Sequence, residues 1–165
     1  MLEEEIIGLL VESGKTLAVA ESCTGGLIGH RLTQVPGSSA AFLGGVIAYH
    51  NSVKEKTLGV PADVLEREGA VSEATALAMA EGVRRLLGAD IALAVTGVAG
   101  PTGGTEDRPV GLTYIALSVA PDVLICERHL GQGDRQQNKE SSAEAALALL
   151  LRHLRSAGTD RSPAG

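Results

Sequence analysis

Apolar positions along the chain alternate between helical and extended spacing. Between Glu3 and Val11, Ile6, Ile7, Leu9 and Leu10 fit one face of a short helix, and Ser13-Gly14 supplies its stop. Thr16 to Ala20 reads as an apolar strand, Gly25 to Gln34 as a helix ended by Pro36-Gly37, and Phe42 to Tyr49 as a buried strand despite Gly44 and Gly45. A longer helix is predicted from Ser72 to Leu87, with Ser72 as N-cap and Glu73 in the first turn. Ala76, Met79, Ala80, Val83, Leu86 and Leu87 recur on one stripe, and Gly88 marks the stop. Ile91–Val95, Val110–Val119 and Val123–Arg128 read as three further strands. A closing helix from Arg135 to Leu154 stacks Ala143, Ala146, Leu147, Leu150, Leu151 and Leu154.

Helices and strands alternate in the first half, while the last three strands are nearly consecutive. The pattern predicts a single α/β domain, a three-layer α/β/α arrangement around a mixed, mostly parallel sheet. The domain spans residues 1–155, followed by a flexible tail over 156–165 whose composition, SAGTDRSPAG, is that of a loose segment. A length of 165 residues suits one core. That core must be aliphatic, because Trp is absent and the aromatic residues are Phe42, Tyr49 and Tyr114.

Charge and composition narrow the function. A net charge of -6 disfavours a general nucleic-acid surface. The longest uncharged stretch, Leu32 to Val53, is close to its start broken by Pro36 and Gly37, which argues against a membrane span or membrane partner. An N-terminus with three consecutive acids lacks the basic flank of a secretory signal, and two cysteines fit a reduced compartment; both point to the cytoplasm. The four histidines have no metal-ligand spacing with one another or with cysteine, so neither a metal nor another cofactor is expected.

Three segments carry candidate chemistry. AVAESCTGG places Glu21, Ser22 and Cys23 between an apolar strand and a glycine-containing helix start, where backbone N–H groups can stabilise an alkoxide, oxyanion or phosphate; Ser22 or Thr24 could equally be a simple helix cap. Ser22 as a nucleophile needs a base, and Lys54, beyond the strand carrying Tyr49, could serve if its pKa were lowered from about 10.4 towards 7–8. Lys54 could also be an exposed residue on a short helix with Glu55 and Lys56. Cys23 is a rival nucleophile or a small buried residue. The segment TGVAGPTGGTEDRPVG, Thr96 to Gly111, is a glycine-rich loop without a P-loop or dinucleotide fingerprint, open to a ligand-binding or a structural reading. Weaker candidates are the PGSS turn at 36–39 and the pair Arg135 and Lys139, spaced i,i+4 and able to meet a phosphate.

AESCTGGLIGHRLTQVPGSSAAFLGGVIAYHNSVKEKTLGV, GAVSEATALAMAEG and TGVAGPTGGTEDRPVG, in that order, resemble the CinA C-terminal-domain family across roughly residues 5 to 154. The resemblance implies an amidohydrolase that deamidates nicotinamide mononucleotide to nicotinic acid mononucleotide and ammonia without a metal, in pyridine nucleotide recycling. It implies Ser22 as nucleophile, Lys54 as base and Tyr49 as a relay between them, with an oxyanion hole from Cys23, Thr24 and Gly25. The substrate would be lined by Gly26, Gly37, Ser38, Ser39, Thr96, Gly97, Gly100, Gly103, Gly104 and Arg135. It further implies a small-molecule nucleotide partner, a homodimer or higher homo-oligomer, and the absence of the N-terminal domain that longer members carry. Arg108 and Asn138-Lys139 depart from residues frequent in the family and bear on phosphate binding. The rival expectation is a non-catalytic ligand-binding or interaction module linked to competence or the DNA-damage response.

Overall fold

The computed structural model of the chain describes residues 1–159. In chain order the elements are α1 (Leu2–Ser13), β1 (Leu17–Glu21), α2 (Leu27–Thr33), a 3-10 turn (Ser38–Ala40), β2 (Phe42–Ile47), α3 (Asn51–Lys56), α4 (Ala62–Glu68), α5 (Glu73–Leu87), β3 (Ile91–Gly97), β4 (Leu112–Val119), β5 (Val123–Leu130) and α6 (Arg135–Thr159). The Ser72 side chain accepts from Thr75 N–H at 3.2 Å to start α5, and Gly14 and Gly88 close α1 and α5 in the left-handed conformation. The strands form one five-stranded sheet in the order β2-β1-β3-β4-β5. It is mixed, as expected, but evenly so rather than mostly parallel: β1 pairs parallel with β2 and β3, whereas β3–β4 and β4–β5 are antiparallel hairpins.

Helices cover both faces, and the strands sort their side chains by size between them. Leu17, Val19, Ile91, Leu93, Val95, Ile115 and Leu117 face α1, α2 and α6; Ala18, Ala20, Ala92, Ala94 and Ala116 face α5. The alanine face lets α5 approach the sheet closely. Gly82 of α5 makes a separate close approach, to the connection between α3 and α4: a Cβ there would lie 1.9 Å from the Leu58 carbonyl oxygen. Leu86 and Leu87, expected on the buried stripe of α5, are 52% and 36% exposed in its last turn. Among the described residues no helix is long and apolar enough to cross a membrane. Residues 156–159, expected to open the tail, are helical instead, since α6 continues through Thr159; residues 160–165, the rest of that expected tail, lie outside the described residues.

Candidate active site

The order β2-β1-β3 makes a topological switch at β1: the chain leaves β1 for a neighbour on one side through α2 and returns to the other side through α5. Open α/β sheets bind ligands in the crevice at the carboxyl ends of strands at such a point. Ser22 stands there, one residue past β1, with its N–H donating to the Val95 carbonyl of β3 at 3.0 Å.

The segment after Ser22 departs from the expected helix start. Gly25 and Gly26 take φ of 61° and 102°, so residues 22–25 form a turn and α2 begins at Leu27. The N–H groups of Ile28 and Gly29 donate to the Glu21 carboxylate at 2.9 and 3.0 Å. The positive end of α2 is therefore occupied by the chain's own anion, and cannot be the cradle for an oxyanion or phosphate. Gly25 leaves the expected oxyanion set as well, because its N–H donates to the Ser22 carbonyl at 3.1 Å. The N–H groups of Cys23 and Thr24 have no acceptor among the described residues.

β2 ends two residues before Tyr49. The Ala48 N–H donates to the Glu21 carbonyl at 2.7 Å, and the chain then turns into α3, where the His50 ring caps the helix by accepting from Ser52 N–H at 3.1 Å. One turn into α3, Lys54 points back under the strand ends and is 1% exposed. Its Nζ donates to Ser22 Oγ at 3.0 Å and to the carbonyls of Ala48 at 2.8 Å and Tyr49 at 3.2 Å. Three acceptors match the three N–H bonds of an ammonium. In the neutral amine the two carbonyls hold both remaining N–H bonds, which leaves the lone pair aimed at Ser22 Oγ. Burial pushes the Lys54 pKa below its ordinary value, opposed by the Cys23 side chain. That opposition requires a thiolate, and burial pushes the Cys23 thiol up to about 11, so Cys23 is neutral near pH 7 and a poor rival nucleophile. No carboxylate pairs with Lys54 among the described residues.

Lys54 reaches Ser22 directly, and the Tyr49 side chain does not stand between them. Tyr49 is 61% exposed, and its hydroxyl accepts from Arg135 Nη2 at 3.1 Å. What Tyr49 offers the dyad is its backbone carbonyl.

A cavity of about 170 Å³ opens over Ser22 and Lys54. Cys23, Tyr49, Asn51, Ala70, Val71, Thr96, Gly97, Ala99 and Arg135 complete its lining. Of these, Asn51, Ala70, Val71 and Ala99 carry no sequence signal. Thr96 is a wall tether rather than a free donor, since its hydroxyl donates to the Ala70 carbonyl at 2.7 Å. Arg108 acts on the same wall: its side chain donates to the carbonyls of Val71, at 2.7 Å, and Glu68, away from any anion site. Arg135 opens α6 at the cavity mouth and donates to the Gly100 carbonyl at 2.6 Å; Gly100 shapes the mouth through that carbonyl. Asn138 is buried and bonds the Ala99 and Gly133 carbonyls at 3.0 Å each, tying the β3–β4 connection to the start of α6. Lys139 Nζ lies 3.6 Å from where a Gly25 Cβ would stand, beside the same mouth.

Several expected ligand residues are not gathered here. Gly103 and Gly104 sit at the exposed tip of the β3–β4 connection and outside the cavity lining, as does Gly26, against which Ile47 packs. Gly37, Ser38 and Ser39 precede β2, whereas the cavity lies beyond its far end. At about 3.3 Å per residue the strand separates them from Ser22 by roughly 17 Å. A larger cavity of about 490 Å³, among Leu9, Ile91, Val119, His153 and Leu154, also lies at that opposite end; its Ser13 hydroxyl donates to the Leu9 and Leu10 carbonyls at 2.8 and 3.2 Å rather than to a base. Among the described residues no group of three or more His, Cys, Asp or Glu side chains is placed to hold a metal ion.

The sequence matches the CinA C-terminal domain family over residues 1–154. It is 51% identical over 153 residues to a CinA-like protein of Syntrophus aciditrophicus (strain SB), covering 93% of this chain and 36% of that relative; the chain spans about a third of the length of the curated relatives it matches. Among solved structures it is similar to the competence/damage inducible protein CihA of Agrobacterium tumefaciens, at a TM-score of 0.89 and 38% identity over 93% of both chains. A competence-damaged protein (CinA) superfamily member from Klebsiella pneumoniae gives a TM-score of 0.90 at 32% identity, over 94% of this chain and 96% of that one. With a family match over nearly the whole chain and the same fold in solved relatives, this chain belongs to the CinA C-terminal domain family.

Proposed function

We propose that this chain is an amidohydrolase that deamidates nicotinamide mononucleotide, with Ser22 as nucleophile and Lys54 as general base. The observation that carries the reading is the buried Lys54 Nζ, 3.0 Å from Ser22 Oγ, with no carboxylate among the described residues to hold it charged. As Ser22 Oγ attacks the amide carbon, Lys54 takes its proton and the carbonyl oxygen becomes an oxyanion facing the N–H groups of Cys23 and Thr24. The Lys54 ammonium then protonates the leaving nitrogen, and ammonia departs from an acyl-enzyme. Water, losing its proton to Lys54, attacks the ester and releases the carboxylic acid and Ser22.

Cavity size supports a small planar amide. About 170 Å³ is below the roughly 300 Å³ at which pockets begin to enclose whole drug-sized ligands, so it suits one ring with its carboxamide. The ribose and phosphate then extend past Arg135 into the groove lined by Leu27, Gln136, Lys139 and Glu140, where two cations against one carboxylate leave a net positive charge to meet the phosphate.

The test is ammonia release from nicotinamide mononucleotide by wild type and Ser22→Ala, with thermal unfolding as the folding control. Release by wild type and none by a folded Ser22→Ala variant supports the reading. No release by wild type rejects it and favours the second reading, a binding or interaction module, to which the competence/damage name of the Agrobacterium relative points.

A further inference from the structure

We propose that Glu21 is the positioning residue that sets both members of the Ser22–Lys54 pair. This rests on the reading of Ser22 and Lys54 as nucleophile and base.

The Glu21 side chain is 2% exposed and faces no cation within salt-bridge distance among the described residues. Its carboxylate instead accepts three hydrogen bonds, from the Thr24 hydroxyl at 2.6 Å and from the N–H groups of Ile28 and Gly29 at 2.9 and 3.0 Å. Gly26, the N-cap of α2, has no side chain to cap with. Glu21 therefore reaches across the turn and caps α2 from five residues before its N-cap. Residues 22–25 are enclosed by that span, so the carboxylate fixes the loop on which Ser22 is carried.

The main chain of Glu21 fixes the other partner. Its carbonyl accepts from Ala48 N–H at 2.7 Å, and the carbonyl of Ala48 accepts from Lys54 Nζ at 2.8 Å. One residue thus holds the nucleophile's turn by its side chain and the lysine's seat by its backbone. A buried anion without a counterion is costly to place, and is compensated here by three donors, two of them at the positive end of a helix. Glutamine cannot match that set: its amide oxygen can replace one carboxylate oxygen, but its NH₂ then faces the N–H of Gly29 or of Ile28, a donor against a donor. The turn must shift, and a misplacement near 1 Å lowers reaction rates by about 10²-fold.

The test measures Ser22 reactivity apart from substrate choice. Phenylmethanesulfonyl fluoride sulfonylates an activated serine: the Oγ–S bond forms, fluoride leaves and the Oγ proton passes to the base. Labelling followed by intact mass is compared for wild type, Ser22→Ala, Glu21→Gln, Glu21→Asp and Asp90→Ala. Asp90 accepts from Thr16 N–H and Oγ1 at the opposite end of the sheet, so Asp90→Ala destabilises the fold without touching the site. The expected result is labelling of Ser22 in wild type, slowed about 100-fold in Glu21→Gln and unchanged in Asp90→Ala. On the deamidation reaction kcat falls with KM held within about threefold. If Glu21→Gln does not fold, Glu21→Asp, which keeps the charge but is one methylene too short to span the turn, must show the slowing. Wild-type labelling rates in a folded Glu21 variant overturn the proposal, as does equal slowing in Asp90→Ala. Labelling of wild-type Ser22 without ammonia release from the mononucleotide rejects the substrate and leaves the role of Glu21 standing. No labelling of wild type overturns the activated serine and the role of Glu21 together.

Discussion

Replacing Lys54 by methionine isolates the proton-transfer step. Methionine keeps an unbranched apolar stem in a site that is 1% exposed, and removes the one titratable group 3.0 Å from Ser22 Oγ. General-base catalysis contributes about 10²–10⁴-fold. No histidine, aspartate or glutamate lines the cavity to substitute, so the loss belongs near the upper end. A fall of about 10³–10⁴ in kcat corresponds to roughly 4–5.5 kcal/mol of barrier. Binding should change little, since Lys54 faces the serine and two backbone carbonyls rather than the outer groove. Folding is buffered as well: the Ala48 and Tyr49 carbonyls lose a donor at about 1–3 kcal/mol each, but a desolvated amine is removed at the same time. The assay pairs steady-state ammonia release from nicotinamide mononucleotide with calorimetric titration of the same ligand. A folded Lys54→Met protein turning over within about tenfold of wild type would refute Lys54 as the base.

Stability should carry the signature of the same lysine. Its pKa is lowered in the folded state, so between that value and the unfolded 10.5 the unfolded chain binds more protons and stability rises with pH. Melting curves of wild type should therefore gain on Lys54→Met as pH increases towards 10.5, and a constant difference across that window rejects the shift. Gly82→Ala should destabilise by about 3 kcal/mol or more, because its Cβ would meet the Leu58 carbonyl oxygen at 1.9 Å; Gly8→Ala in α1, with nothing within 4 Å, should instead stabilise by up to about 1 kcal/mol. Urea midpoints that move in the same direction for both variants contradict this packing argument. Arg135→Ala should raise KM for the mononucleotide about 10–100-fold, as expected for a charged hydrogen bond of roughly 1.5–3 kcal/mol. Turnover of the uncharged nucleoside should stay unchanged, and equal losses on both substrates exclude a phosphate role.

Local signals located the elements that are long, strongly periodic or bounded by glycine and serine caps. Helix α5 and strands β3 to β5 fall close to their predicted limits for that reason, and α6 starts where predicted but continues five residues past Leu154. Of the short helices, α3 is anticipated only as the alternative setting of Lys54 with Glu55 and Lys56, and α4 carries no signal: six or seven residues hold little periodicity, and α3 takes its place from a His50 cap and a buried lysine. The even split of the sheet was also hidden, because an apolar run does not state its pairing direction. An available signal was the alternation Leu17-Ala18-Val19-Ala20 and Ile91-Ala92-Leu93-Ala94, which separates a wide face from a close-packed one. At the site, Ser22, Lys54 and Arg135 were legible by residue type and resemblance. The PGSS turn was not separable from them, since sequence proximity to β2 does not reveal which end of the strand a turn serves. Glu21 stands beside the serine without a sequence signal for its role, because two of its three partners, the N–H groups of Ile28 and Gly29, are backbone groups with no sequence identity to read.

The position of Glu21 also decides where the substrate's negative charge can go. A glycine-containing turn leading into a helix ordinarily offers its N–H groups and dipole to an external phosphate. Here two of the first N–H groups of α2 are already bonded to a buried carboxylate, and a phosphate brought to the same place would meet that charge in a poorly screened interior. On the proposed reaction the phosphate lies instead in the groove between Leu27 and the first turns of α6, where the Arg135 and Lys139 side chains offer it positive charge. The proposed carboxamide position lies over a neutral serine, a neutral thiol and a lysine whose burial favours its uncharged form. A substrate with a neutral reactive amide at one end and an anion at the other fits that polarity; one with its charge beside the amide would place it against the Glu21 side of the turn. On this argument an anionic group on the pyridine ring next to the carboxamide should abolish turnover, whereas the same charge carried on the ribose should be tolerated.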